Sequence, residues 1–196
     1  RTRAPTLTLV YLPHLDYDLQ RFGPRHPVIA RALREIDDVC AELIEDAARD
    51  GADVVVVSEY GITEVSTPIA INRALRAAGW LQVRSESGGE QLDLAGSLAF
   101  AVADHQIAHV HVLREDLIAP AAELVSRLDG VERVYVGDER RRVGLDHPRS
   151  GDIVALARAD AWFSYPYWLD DARAPDWTLS LLRRSQAVLW PTASPH

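Results

Sequence analysis

The sequence predicts an α/β fold, a mostly parallel central sheet flanked by helices with a late antiparallel or hairpin region. Three observations carry that prediction. Val54-Val55-Val56-Val57 is a short, unbroken β-branched run, the pattern of a parallel strand buried on both faces. Before it, apolar residues recur every three to four positions from Pro27 or Val28 to Asp50, which reads as one long helix. After it, short apolar runs alternate with Gly, Pro and Asp clusters, as in a series of short strands joined by turns.

Taken in order, Thr6 to Leu12 reads as a first strand. Pro13 to Pro24 reads as a loop holding His14, Asp16, Asp18, Gln20 and Arg21, groups that suit a metal or a phosphate and are equally ordinary in loops. The helix follows, with Ile29, Leu33, Ile36, Cys40, Leu43, Ile44 and Ala47 on one face and Gly51 just past its end. A right-handed crossover through that helix would bring the first strand and the valine strand into one parallel sheet. Ser66 or Thr67 can cap a short helix with Pro68 at its first position, closed by Gly79. Trp80 to Arg84 reads as a strand, and Ser85 to Ser97 as a loop or hairpin around Gly88-Gly89.

Ala99 to Ala103 and Ile107 to Leu113 form two further strands, with His109 and His111 sharing one face at period two. That spacing permits a metal pair, but it also suits a half-exposed sheet face. Pro120 to Leu128 reads as a helix, Val131 to Val136 as a strand, and Asp138 to Arg142 as a solvated turn. Ile153 to Ala157 and Trp162 to Ser164 read as a hairpin of late strands. Tyr165, Tyr167 and Trp168 then crowd with Asp170, Asp171 and Arg173, a composition that lines a pocket or packs against a neighbouring domain.

With 196 residues, 47% of them hydrophobic, the chain can bury a substantial core. A net charge of −8 argues against a nonspecific binder of nucleic-acid polymers or anionic membranes. The single cysteine, Cys40, rules out an internal disulfide framework and falls on the apolar stripe of the long helix, as a buried structural thiol would. No apolar run reaches the length of a membrane span. The chain contains no methionine and its first strand begins within a few residues of Arg1, so a piece of a longer, cytoplasmic protein is expected.

In open α/β sheets, ligands bind beyond the carboxyl ends of the strands. Two predicted parallel strands end in polar segments, one carrying Asp16 and the other Ser58-Glu59-Tyr60-Gly61. Convergence of Asp16 and Glu59 at one sheet edge is the physical case for a site.

Those same segments resemble two motifs of the alkaline phosphatase superfamily, in its type I phosphodiesterase/nucleotide pyrophosphatase branch, which includes phosphonoacetate hydrolase. In that branch a strand leads to an Asp, a His four residues on, and Gly-Pro; here Asp16 and Gly23-Pro24 match, and Gln20 stands at the His position. The second motif is a buried strand ending Ser-Asp-His-Gly, which reads Ser58-Glu59-Tyr60-Gly61 here. Ala99 to His111, His147 to Asp152 and Trp162 to Asp171 resemble a bacterial subgroup of the same branch, so the likeness covers about Thr6 to Asp176.

The resemblance implies an alkaline phosphatase-like fold. Residues 1–176 would be the carboxyl-terminal part of a phosphodiesterase domain, with 177–196 a divergent tail lacking the family's late His ligand. It implies a metal-dependent hydrolase of phosphate diester, pyrophosphate or phosphonate bonds, acting on a small phosphorylated substrate. Asp16, Gln20, Glu59 and Tyr60 stand at its metal-ligand positions. Two divalent ions (Zn, Mn or Mg) would serve the full-length protein, and oxygen donors at these positions favour the harder Mg²⁺, Mn²⁺ or Ca²⁺. The family's nucleophile belongs to an amino-terminal half outside this sequence, so that half is an expected partner and the fragment is expected to be inactive. The alternative is a degenerate member that keeps the fold as a binding or scaffold protein, because an amide and a phenol are poor replacements for imidazole.

Overall fold

The computed structural model describes residues 5–58 and 60–178, which fall into two compact units parting between Glu64 and Val65. Glu59 and the expected tail from residue 179 onward lie outside the described residues.

The first unit is built on two helices. α1 spans His14–Phe22 and α2 spans Val28–Arg49, close to the helix expected there. The segment read as a loop is therefore a helix, for reasons legible in hindsight. Asp16 sits in the first turn and Arg21 in the last, each complementing the helix dipole. Gly23 takes a φ of 78° immediately after Phe22, and its N–H bonds the Leu19 carbonyl at 2.9 Å. α1 packs on the first half of α2, where Ile29 and Ala32 are buried. His14 Nε2 lies 3.2 Å from Glu35 of α2. Cys40 is half-buried.

Neither Thr6 to Leu12 nor Val54 to Val57 forms a strand. Val55 and Val57 are 82% and 80% exposed, against the expectation of burial on both faces. A strand exists only as a ladder, and among the described residues neither segment has a neighbour to supply one. The β-branched composition is a propensity for that environment and does not create it.

The second unit carries the sheet. β1 (Thr67–Ile69) and β8 (Ala161–Phe163) pair in parallel. β2 (Gln82–Glu86) and β3 (Gly89–Asp93) pair as a hairpin around Gly88-Gly89, where a strand to Arg84 and then a loop or hairpin were expected. β4 (Ala99–Asp104), β5 (Ile107–Val112), β6 (Val131–Val136) and β7 (Ile153–Ala157) make an antiparallel sheet of order β4-β5-β7-β6. The fold class is thus α/β, with both parallel and antiparallel pairing, the parallel pair lying at β1 and β8. The expected hairpin of β7 with β8 does not form. β8 pairs with β1 instead, because Ser66 and Thr67 both donate to the Asp160 carbonyl and set that register.

α3 (Ile71–Ala77) begins three residues after Pro68, so Thr67 and Pro68 belong to β1 and not to a helix start. α4 spans Ile118–Ser126. Both helices pack on the sheet, burying Ile71, Leu75, Ala121 and Val125 against Val110, Ile153 and Phe163. Asp138–Arg142 is one short helix, α5, where a turn was expected. Among the described residues, no helix is long and apolar enough to cross a membrane.

Asn72 closes the free edge of β4. Its Nδ2 donates to the Ala101 carbonyl and its Oδ1 accepts the Ala101 N–H, both at 2.8 Å, as a neighbouring strand would. The aromatic segment is structural too: Tyr167 and Trp168 are buried in the core. The Tyr167 hydroxyl donates to the Glu90 carbonyl at 3.1 Å, and Trp168 Nε1 donates to Asp171 at 2.9 Å.

Candidate functional site

The helical form of residues 14–22 decides the geometry around Asp16. Positions four apart lie on one helix face, so Gln20 sits a turn beyond Asp16, and its Nε2 donates to Asp16 Oδ2 at 2.7 Å. Tyr60 reaches the same carboxylate from far along the chain, its hydroxyl donating to Asp16 Oδ1 at 2.8 Å. The Ser58 hydroxyl donates to the Tyr60 carbonyl at 2.7 Å and shapes the turn that presents the ring. The structure thus brings together Asp16, Gln20 and Tyr60, all expected from the sequence; Glu59, the fourth, lies outside the described residues. His14 does not join them, since it turns to Glu35. Asp18, two residues from Asp16, falls on a different face of the helix.

Both Asp16 oxygens accept hydrogen bonds from neutral donors, and that determines what the arrangement can hold. Gln20 points its NH₂ at the carboxylate, and this nitrogen has no lone pair to give a cation. Tyr60 uses its O–H proton on the other oxygen. An ion placed on Asp16 would face these donor hydrogens and have to displace them. Among the described residues, no group of three or more His, Cys, Asp or Glu stands where a metal could be bound. As hydrogen-bonded here, Asp16, Gln20 and Tyr60 do not by themselves fit a divalent ion at Asp16.

His109 and His111 play structural parts. His109 Nδ1 accepts the Gly151 N–H at 3.2 Å, which requires that nitrogen to be unprotonated. Burial lowers its pKa, and the neighbouring His111 and Arg140 act in the same direction. His111 stacks on Phe100, with ring centroids 5.2 Å apart.

A charge cluster that the sequence reading missed centres on Glu90. It is 2% exposed and held by Arg76, whose Nη2 donates to Oε1 at 2.9 Å while Nη1 bonds Oε2. Arg173 Nε stands 3.0 Å from the same Oε1. The Arg76 hydrogen bonds outweigh burial and hold the Glu90 carboxyl below its usual range. In sequence Glu90 is one acid in a polar hairpin, so no local signal marked it. Arg173 also donates to Ser85 at 2.9 Å, so the cluster ties β2 and β3 to the segment after Trp168.

Residues 1–181 match the family model of type I phosphodiesterase / nucleotide pyrophosphatase. The chain belongs to that family. An uncharacterised pyrophosphatase/phosphodiesterase of Schizosaccharomyces pombe is 33% identical over 66 residues, covering 32% of this chain and 14% of that protein. Among solved structures, murine ectonucleotide pyrophosphatase/phosphodiesterase 5 is similar with a TM-score of 0.55 and 18% identity, over 82% of this chain and 39% of that one. The human protein of that name gives a TM-score of 0.55 at 14% identity, over 92% of this chain and 54% of its own. At such identities the likeness shows the fold, which is the alkaline phosphatase-like one expected. The chain spans about half or less of each of these relatives.

Proposed function

We propose that the full-length protein is a nucleotide pyrophosphatase/phosphodiesterase-like hydrolase acting on a phosphate diester, pyrophosphate or phosphonate bond of a small phosphorylated substrate. The family match over residues 1–181 is the observation that carries this reading. The substrate class is supported by one neighbour, an inactive variant of the murine ectonucleotide enzyme solved in complex with AMP. In this reading residues 1–176 are the carboxyl-terminal part of the catalytic domain, and the remaining part, with the nucleophile, is their partner. Exposed Leu7, Leu9, Val55 and Val57 support such a partner, because they are apolar residues in two segments without a ladder among the described residues. Gln20 and Tyr60 are the donors this chain offers to a phosphoryl oxygen, once they turn from Asp16. Metal dependence at Asp16 would require the same two bonds to open.

The bonds at Asp16 also favour a second reading, a family member that binds a phosphorylated ligand without cleaving it. Release of nitrophenol from bis(p-nitrophenyl) phosphate by the full-length protein, with calorimetric titration of AMP beside it, separates the two. Turnover above the blank supports the hydrolase. Saturable AMP binding without turnover supports the binder, and the absence of both turnover and binding overturns both readings.

A further inference from the structure

Asp16 and Tyr60 are 44 positions apart in sequence, yet their side chains meet in a hydrogen bond. The contact is direct, and each carboxylate oxygen has its own donor: Gln20 at 2.7 Å on one side and Tyr60 at 2.8 Å on the other. A hydrogen bond to an ionised acceptor is stronger than one between neutral groups, so a carboxylate is the acceptor best suited to holding two separate donors. A cation competes for the lone pairs that these donors use, and it is repelled by the hydrogens they present.

We propose that Asp16, Gln20 and Tyr60 form a metal-free latch that fixes α1 to Tyr60, and that Asp16 takes no divalent ion. The latch replaces an ion's bridging role with two neutral donors, so the convergence of the two polar segments persists while Lewis-acid chemistry at this carboxylate does not. This rests on the family assignment and not on turnover.

The test uses the full-length protein in its natural sequence and as Asp16→Ala, Tyr60→Phe and Gln20→Ala. Zn²⁺, Mn²⁺ and Mg²⁺ are titrated separately by calorimetry, and amide exchange of residues 14–22 is followed by mass spectrometry with and without chelator. The expected result is no ion binding that depends on Asp16, and exchange in α1 indifferent to chelator but several-fold faster in Tyr60→Phe and Asp16→Ala. Saturable binding of any of the three ions that Asp16→Ala abolishes overturns the latch. So does α1 exchange left unchanged by Tyr60→Phe, a variant that removes one hydroxyl from an exposed ring and does not threaten folding. Nitrophenol release measured on the same samples keeps the two proposals apart. Its absence defeats the hydrolase reading and leaves the latch intact.

Discussion

Glu90 is buried among two guanidinium groups, and its charge is what makes them compatible with that place. Removing it in Glu90→Ala leaves Arg76, itself largely buried, without its partner, and breaking a buried pair this way costs about 3–5 kcal/mol. Chemical denaturation of the natural and variant chains would measure the loss. The carboxyl pKa is lowered on folding, first by the Arg76 hydrogen bonds, so the linked stability is fully present above the unfolded value of about 4.5. It falls as pH drops through the lower folded value, and Glu90→Gln should remove that acid-limb dependence from the unfolding curve. His109 is a base kept neutral by the fold, and it contributes at milder pH. Its pKa is lowered by burial, so the unfolded chain takes up a proton near 6.5 that the folded ring still refuses. Stability should therefore decline as pH falls below 6.5, and His109→Gln should flatten that decline in thermal melts. The sequence marked His109 only as one of a period-two pair and did not mark Glu90, because burial and partners come from elements far away in the chain.

At the scale of elements, α3 and β4 depend on one amide. Asn72 satisfies both backbone groups of the buried Ala101, and Asn72→Asp keeps the shape while replacing the donor to the Ala101 carbonyl with a second acceptor. A loss of about 2–4 kcal/mol is expected, from one unsatisfied buried group and a repulsive contact, and urea unfolding would show it. Gly151 is set by an adjacent strand. A Cβ there would lie 2.6 Å from the backbone N and O of Val110, in β5. Gly151→Ala should cost roughly 1–3 kcal/mol by forcing those strands apart, with amide exchange across β5 as the local readout. Elements were legible where one dominant pattern spoke, as for α2 and β6, whose bounds lie within a residue or two of expectation. α1 was read as a loop because flanking prolines and polar residues outweighed Leu15, Leu19 and Phe22 at helical spacing. The cost of that misreading fell on the site, since only a helix makes Asp16 and Gln20 neighbours.

For the molecule as a whole, the composition already pointed away from polymers of nucleic acid, with a net charge of −8. The two units differ in how they use their apolar residues. The unit from Val65 onward buries a continuous core around Ile71, Val110, Ile153 and Phe163. Among its described residues the first unit leaves the valine run in solvent and buries only Ile29 and Ala32. Under the proposal that the nucleophile belongs to the rest of the domain, the 196-residue chain alone is expected to release no nitrophenol from bis(p-nitrophenyl) phosphate under conditions where the full-length protein does. Activity in the isolated chain would place the chemistry within these residues.

The sequence by itself determined the α/β class, the family and the segments that converge, because periodicity, turn chemistry and motif residues are local properties. It placed Asp16, Gln20, Glu59 and Tyr60 at candidate metal-ligand positions, and the structure brings Asp16, Gln20 and Tyr60 together, with Glu59 outside the described residues. Tertiary structure decided what the local pattern leaves open. Among the described residues it gave Val54 to Val57 no ladder, since a ladder needs a second strand, and it joined β8 to β1 in place of β7. It also gave both oxygens of Asp16 to hydrogen-bond donors, because which lone pairs remain for a ligand depends on neighbours that meet only in three dimensions.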